Sequence, residues 1–367
     1  MRAISEPSGP LRWRRARRKV RQREKRHIRR GGLRRWHLAR RRLNSEFVRI
    51  FAPEVFDLSH FVTRSATLRF CKSLREAYLR KRQNVLLDFS RTRKLRAPGM
   101  LVAVAEIDRA QRMGQTHQLL RCRLPAAEDE EGQIVQQVLD QIGLLERLEH
   151  PQIHSDKSVF HDTVRNWRYA TGTRIDSKPG DVLYEYEGQL APSLIQKMNV
   201  GLSEAVINSL HHAYARDRGD GCGKFRERRW WMFTSEDDEG HLHVLICDLG
   251  IGISKSLSLP GKWDRSLLKK FATLFSNDCP DVRAIKTALV IGESSTGEKH
   301  RGNGLPQIWN AVHENDVGGV AIFSGHGHVG RSMETGELSD GFYKSGLLGT
   351  LISWQVPIGA AGSDSDG

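Results

Sequence analysis

Residues 245–254 read LICDLGIGIS: an apolar run, one carboxylate at Asp248, then glycines at 250 and 252. This stretch restricts the fold more than any other. An apolar strand ending in an acid asks for a layered protein that supplies the buried carboxylate with donors. Alternate glycines lack a Cβ, so the backbone can approach a flat ring or a phosphate closely. The acid at the strand end can accept a hydrogen bond from an exocyclic amine. Immediately upstream, Trp230 to Thr234 and His241 to Cys247 are two strand-like runs flanking the acidic turn 235–240, which predicts a hairpin.

Two further segments point to the same chemistry. In GLSEAVINSLHHAYA, residues 201–215, Val206, Leu210 and Ala213 form one helical stripe. Glu204, Asn208 and His212 are spaced by four and so stack on one face. A carboxylate on that face can take a proton, and a neutral amide oxygen can ligate a hard cation. Later, GESSTGEKHRGNGLPQIWNAVHEN spaces Gly292, Gly297, Gly302 and Gly304 among Ser, Thr, Lys and Arg. It runs into a helix opened by Leu305-Pro306, with Ile308, Trp309 and Val312 on its apolar side. A glycine-rich loop feeding a helix N-terminus suits an anion. The runs GGVAIFSG and LLGTLISWQVP are two late strands.

The 367 residues are enough for two or three domains. The formal charge of +15 is unevenly placed. Residues 11–43 hold 17 Lys and Arg against the single acid Glu24, whereas residues 44–367 hold 40 against 41 acids. The basic character therefore belongs to an arm, residues 1–44, expected to be disordered and suited to nucleic acid or an acidic partner through residues 11–43. Residues 45–149 alternate strand and helix patterns and predict a small α/β layer domain. Residues 150–182 are a connector with one strand, NWRYATGTRI, residues 183–358 carry the glycine boxes, and 359–367 form a flexible tail. Five widely spaced cysteines without a CxxC pair argue against disulfides and structural zinc, and point to a reducing cytoplasm. No apolar run approaches the ~18 residues of a membrane span.

Taken together, the boxes of residues 183–358 resemble the GHKL ATPases: DNA gyrase, heat-shock chaperone ATPases, MutL-type repair proteins and histidine kinases. The helical N-box is matched by Glu204-x-x-x-Asn208-x-x-x-His212-Ala213, in the form closest to anti-sigma-factor serine kinases and some histidine kinases. The Asp-x-Gly-x-Gly box is matched by Asp248, Gly250 and Gly252, the second glycine box by Gly302-x-Gly304-Leu305, and the closing strand by Gly349-Thr350. The resemblance implies a Bergerat-type α/β sandwich with a mixed sheet that binds ATP and Mg²⁺. Asn208 would ligate Mg²⁺, Glu204 would be the general base, Asp248 with Thr350 would read the adenine amine, and Gly302 and Gly304 would meet the phosphates beneath a lid of residues 254–300. His212 and Leu305 complete the matched nucleotide-binding positions. Residues 45–149 are similar to STAS domains, with Leu87-Asp88-Phe89-Ser90 matching the buried strand. Arg96-Ala97-Pro98-Gly99 replaces the expected Asp-Ser-Ser-Gly, so the phosphoacceptor is absent and the module is degenerate.

A Rossmann fingerprint fails on spacing, because Lys255 stands where its third glycine belongs, and no P-loop occurs. His241 and His243 lie two apart on a strand and share a face, but the sequence offers no third ligand, and the acidic run 236–239 reads as a hairpin tip. His326 and His328 read the same way, as histidines in the fold. The expected function is an ATP-dependent protein kinase, of serine/threonine or histidine type, or an ATPase switch in bacterial signalling. It acts on a protein partner and is compatible with a homodimer. The alternative is a nucleic-acid-associated protein whose binding through the arm is modulated by ATP.

Overall fold

The computed structural model describes residues 46–359 apart from 116, 152, 154–159, 175–182, 187, 224–226, 238, 260–264, 295–303 and 313–317. The arm 1–44 and all but the first residue of the tail 359–367 therefore lie outside the described residues. The N-terminal part runs β1 (Phe47–Phe51), β2 (Val55–Phe56), α1 (Phe61–Leu74), β3 (Asn84–Asp88), β4 (Lys94–Leu95), α2 (Ala97–Met113), β5 (Leu120–Arg123) and α3 (Glu130–Gln141). Strands β1, β3 and β5 form a three-stranded sheet in that order, with β3 parallel to β5, and β2 pairs parallel with β4. Pro98 sits in the first turn of α2, where its missing N–H leaves no orphan acceptor. Every residue of α2 from Gly99 to Ala110 is buried. A helix buried all round belongs between two layers, and α2 lies there, its apolar residues in one core with Val85 and Leu87 of β3 and with Trp231, Phe233, Leu245 and Cys247 further along the chain.

Those four belong to a second sheet, built from β6 (Arg168–Gly172), β7 (Trp230–Glu236), β8 (His241–Asp248), β9 (Gly319–Arg331) and β10 (Leu338–Pro357), in the order β6-β7-β8-β10-β9. Its helices are α4 (Pro192–Asn208), α5 (Ile253–Leu257), α6 (Arg265–Leu274), α7 (Pro280–Ser294) and α8 (Gly304–Asn310). Period-two alternation divides this sheet cleanly. Trp231, Phe233, Leu245, Cys247 and Leu351 face α1 and α2. Trp230, Met232, Val244, Ile246, Ile352 and Trp354 face a separate core with α4, α7 and α8. Both faces are covered, which is why WWMF and VLIC read as unbroken apolar runs.

The chain contains both parallel and antiparallel pairings, but the expected mixing does not extend to the larger sheet. All four of its pairings are antiparallel: β7–β8 and β9–β10 are hairpins, while β6–β7 and β8–β10 join strands across longer connections. The strand expected in the connector is β6, which pairs with β7 from Arg168↔Thr234 to Gly172↔Trp230 and forms an edge of this sheet. The described residues from Val48 onward form one compact unit. Among the described residues no helix is long and apolar enough to cross a membrane.

Candidate functional site

Asp248 closes β8 and shares the parity of Val244 and Ile246, so it projects to the α4 side of the sheet. Its neighbour in register on β10 is Thr350. The carboxylate is 7% exposed, and its Oδ1 accepts the Gly250 N–H at 2.8 Å. Burial pushes its pKa up to about 6, against the N–H of Gly250 and the N–H and hydroxyl of Thr350, which all donate to it. A carboxylate offers about four lone-pair directions, and among the described residues these three donors leave one unfilled. Asp248 and Thr350, which the sequence singles out 102 positions apart, are thus directly bonded.

Glu204 and Asn208 occupy the last turns of α4. The helix does not stop at Asn208 but widens into a π turn over Ser209–Ala213, where the Ser209 hydroxyl donates to the Ala205 carbonyl at 2.8 Å. Glu204 and Asn208 follow α-helical phase, and His212, the third member of the spacing-by-four stack, lies in the widened turn. Glu204 is half-buried, and desolvation raises its pKa. Gly304, the first residue of α8, meets both side chains. A Cβ built on it would stand 2.8 Å from Glu204 Oε2 and 2.9 Å from Asn208 Nδ2. The C-terminal end of α8 is held by Trp354, whose indole N–H donates to the Ile308 carbonyl at 2.9 Å, and by Gly201 of α4, which packs against Ala311 just past the helix. Leu305 packs against the same core from α8. Gly302 lies outside the described residues, as do the 260–264 and 295–300 parts of the expected lid, whereas residues 254–259 and 265–294 are largely the helices α5, α6 and α7.

The two halves are joined where the π turn ends. The Ala213 carbonyl accepts the Ile251 N–H at 2.8 Å, and a Cβ at Gly250 would stand 2.2 Å from that same oxygen. Gly250 is required because the π turn that ends α4 lies directly on the turn after Asp248. Asn208 is five residues up this helix from the clamp, a rise of under about 8 Å. Three residues absent from the sequence reading complete the junction. The Tyr214 hydroxyl accepts the Leu249 N–H at 3.1 Å and donates to the Arg229 carbonyl. Ser324 of β9 accepts the Ile253 N–H at 2.8 Å and donates to the Gly349 carbonyl at 3.3 Å, tying Gly252 to β10. Neither residue belongs to a motif; their roles follow from strand register and chain reversal.

The third is Arg218, which reaches from the site into the N-terminal layers. It pairs with Glu106 of α2 at 2.9 Å and Asp220 at 2.6 Å, and Asp220 also receives Arg109 at 2.8 Å. Burial opposes every charge in this cluster. The cations nevertheless hold Asp220 down to about 2, and the acids raise the Arg218 pKa. The Arg218 carbonyl accepts from Lys255 of α5 at 3.3 Å, just beyond Gly252. One buried ion cluster therefore touches both α2 and the strand-end turn. A groove of about 810 Å³ runs along α4, lined by Leu190, Ile195, Asn199, Val200, Ser203 and Glu204. It meets the site at Glu204 but does not extend to Asp248. Comparison of the chain with known protein families, with characterised proteins and with solved structures finds no match, so the geometry stands on its own.

Proposed function

We propose that this chain binds ATP with Mg²⁺ between α4, the strand-end turn after β8 and the N-terminus of α8, in the manner of a GHKL module, and transfers or hydrolyses its terminal phosphate. The observation that carries the reading is the meeting of Gly304 with Glu204 and Asn208, while the same helix is clamped to the turn after Asp248. The one remaining acceptor direction of Asp248 suits an adenine amine, with Thr350 alongside. The amide of Asn208 would ligate the cation, which when bound neutralises phosphate charge. Glu204, made a stronger base by its desolvation, would accept a proton from water or from a partner's hydroxyl. Gly304 opens α8, and a helix N-terminus suits phosphate oxygens.

Calorimetry with Mg·ATP tests this. Wild type should bind saturably, Asn208→Ala should lose the Mg-dependent part, and Glu204→Gln should bind but fail to turn over. Label on the γ-phosphate then distinguishes release to water from transfer to an added protein. Absence of binding, or wild-type turnover by Glu204→Gln, refutes the assignment. The charge of residues 11–43 supports association with an acidic polymer as a second property. Deleting residues 1–43 should abolish DNA retention and its steep salt dependence while sparing ATP binding.

A further inference from the structure

The turn between β7 and β8 carries a side-chain cluster that the nucleotide site does not use. Asp237, Glu239 and His241 each offer one ligand atom, and the three atoms lie within 4.8 Å of one another. His241 Nδ1 stands 3.1 Å from Asp237 Oδ2 and 3.7 Å from Glu239 Oε2. Nitrogen and oxygen ligands held about 2.0–2.2 Å from a tetrahedral Zn²⁺ are separated by about 3.3 Å, so the three atoms already sit near ligand spacing. The other oxygen of Asp237 is engaged by the N–H groups of Glu239 and His241 at 3.0 and 2.9 Å. This turns Oδ2 toward the imidazoles, and His243 Nε2 meets it at 2.8 Å. The sequence shows two histidines sharing a face without a third ligand; the hairpin folds two carboxylates back onto one of them.

We propose that Asp237, Glu239 and His241 bind a divalent transition ion of the Zn²⁺ class, with His243 orienting Asp237 from behind. One imidazole and two carboxylates suit an ion that accepts both nitrogen and oxygen, whereas Mg²⁺ and Ca²⁺ prefer six or more oxygens. Glu239 is the exposed member, leaving the ion a solvent-facing position. The site lies at the opposite end of β8 from Asp248, about 24 Å along the strand at 3.4 Å per residue, so it does not depend on nucleotide binding.

The test is calorimetric titration of the full chain with ZnCl₂, without nucleotide and in excess Mg²⁺. One saturable Zn²⁺ per chain is expected, with affinity at least tenfold weaker in His241→Gln and in Glu239→Gln, and weakened by His243→Phe through loss of the supporting contact. Zn²⁺ should raise the melting temperature of wild type and not of His241→Gln. Because Glu239 is exposed, Glu239→Gln leaves folding intact and keeps the comparison valid if the histidine variants misfold. Equal Zn²⁺ affinity in wild type and Glu239→Gln, or no saturable binding, overturns the proposal and leaves a metal-free histidine–aspartate pair.

Discussion

The burial of Asp248 has a consequence that can be measured without a ligand. Its pKa is about 6 in the folded chain and near 3.8 in the unfolded one, so the folded state holds the proton more tightly. Stability from this group is greatest below about pH 4 and is lost as pH rises through 6. At pH 7 the ionised carboxylate costs about 3 kcal/mol, at 1.36 kcal/mol per unit. Asp248→Asn removes the charge. It also sets an NH₂ group against one of the donors that Asp248 accepts, a loss of about 1 kcal/mol. The variant should therefore be more stable than wild type by about 1–2 kcal/mol at pH 7. Its single carbonyl oxygen, shared between Gly250 and Thr350, no longer has a direction free for an adenine amine, so nucleotide affinity should fall as stability rises. The assay is urea unfolding of both proteins from pH 5 to pH 8. The stability gap should widen by about 1.5 kcal/mol over that range. A gap independent of pH would show that Asp248 ionises as freely as in the unfolded chain, and would remove the argument that it is held for a ligand.

Gly304→Ala should behave in the opposite sense. Its new methyl meets the mobile ends of Glu204 and Asn208 rather than backbone, so unfolding free energy should change by less than about 1 kcal/mol while ATP turnover drops, as a coupled assay would show. Glu106→Gln leaves Arg75 without its buried counter-charge and Arg218 with Asp220 alone, and should cost about 3 kcal/mol, read from denaturant midpoints. Because Arg218 also contacts Lys255 beside the strand-end turn, the same variant should weaken nucleotide binding even at temperatures where it is fully folded. Unchanged affinity would confine the ion cluster to a structural role.

Much of the architecture was legible in the residues because local rules govern it. The helix with Pro98 in its first turn, the hairpin around 235–240 and the helix at Leu305-Pro306 all appear where period and punctuation put them. What misled was context. Helix α4 begins at Pro192, nine residues before the stretch that the sequence marks out, and its π turn at Ser209 has no pattern of its own. The all-antiparallel order of the larger sheet depends on which strands meet, and period alone carries no such information. His241 and His243 were visible as a pair, but the reach of Asp237 and Glu239 back to His241 depends on the turn geometry.

By itself the sequence determined which side chains could do chemistry: an acid at a strand end, an acid and an amide four apart on a helix, and glycines where a backbone must come close. Local periodicity and side-chain chemistry suffice for that. Only the tertiary structure decided that Gly304 abuts Glu204 and Asn208, that Thr350 satisfies Asp248, and that α2 fills the far face of the same sheet through Glu106 and Arg218. Those are contacts between residues about a hundred positions apart, and they are set by strand register and by the burial of both sheet faces.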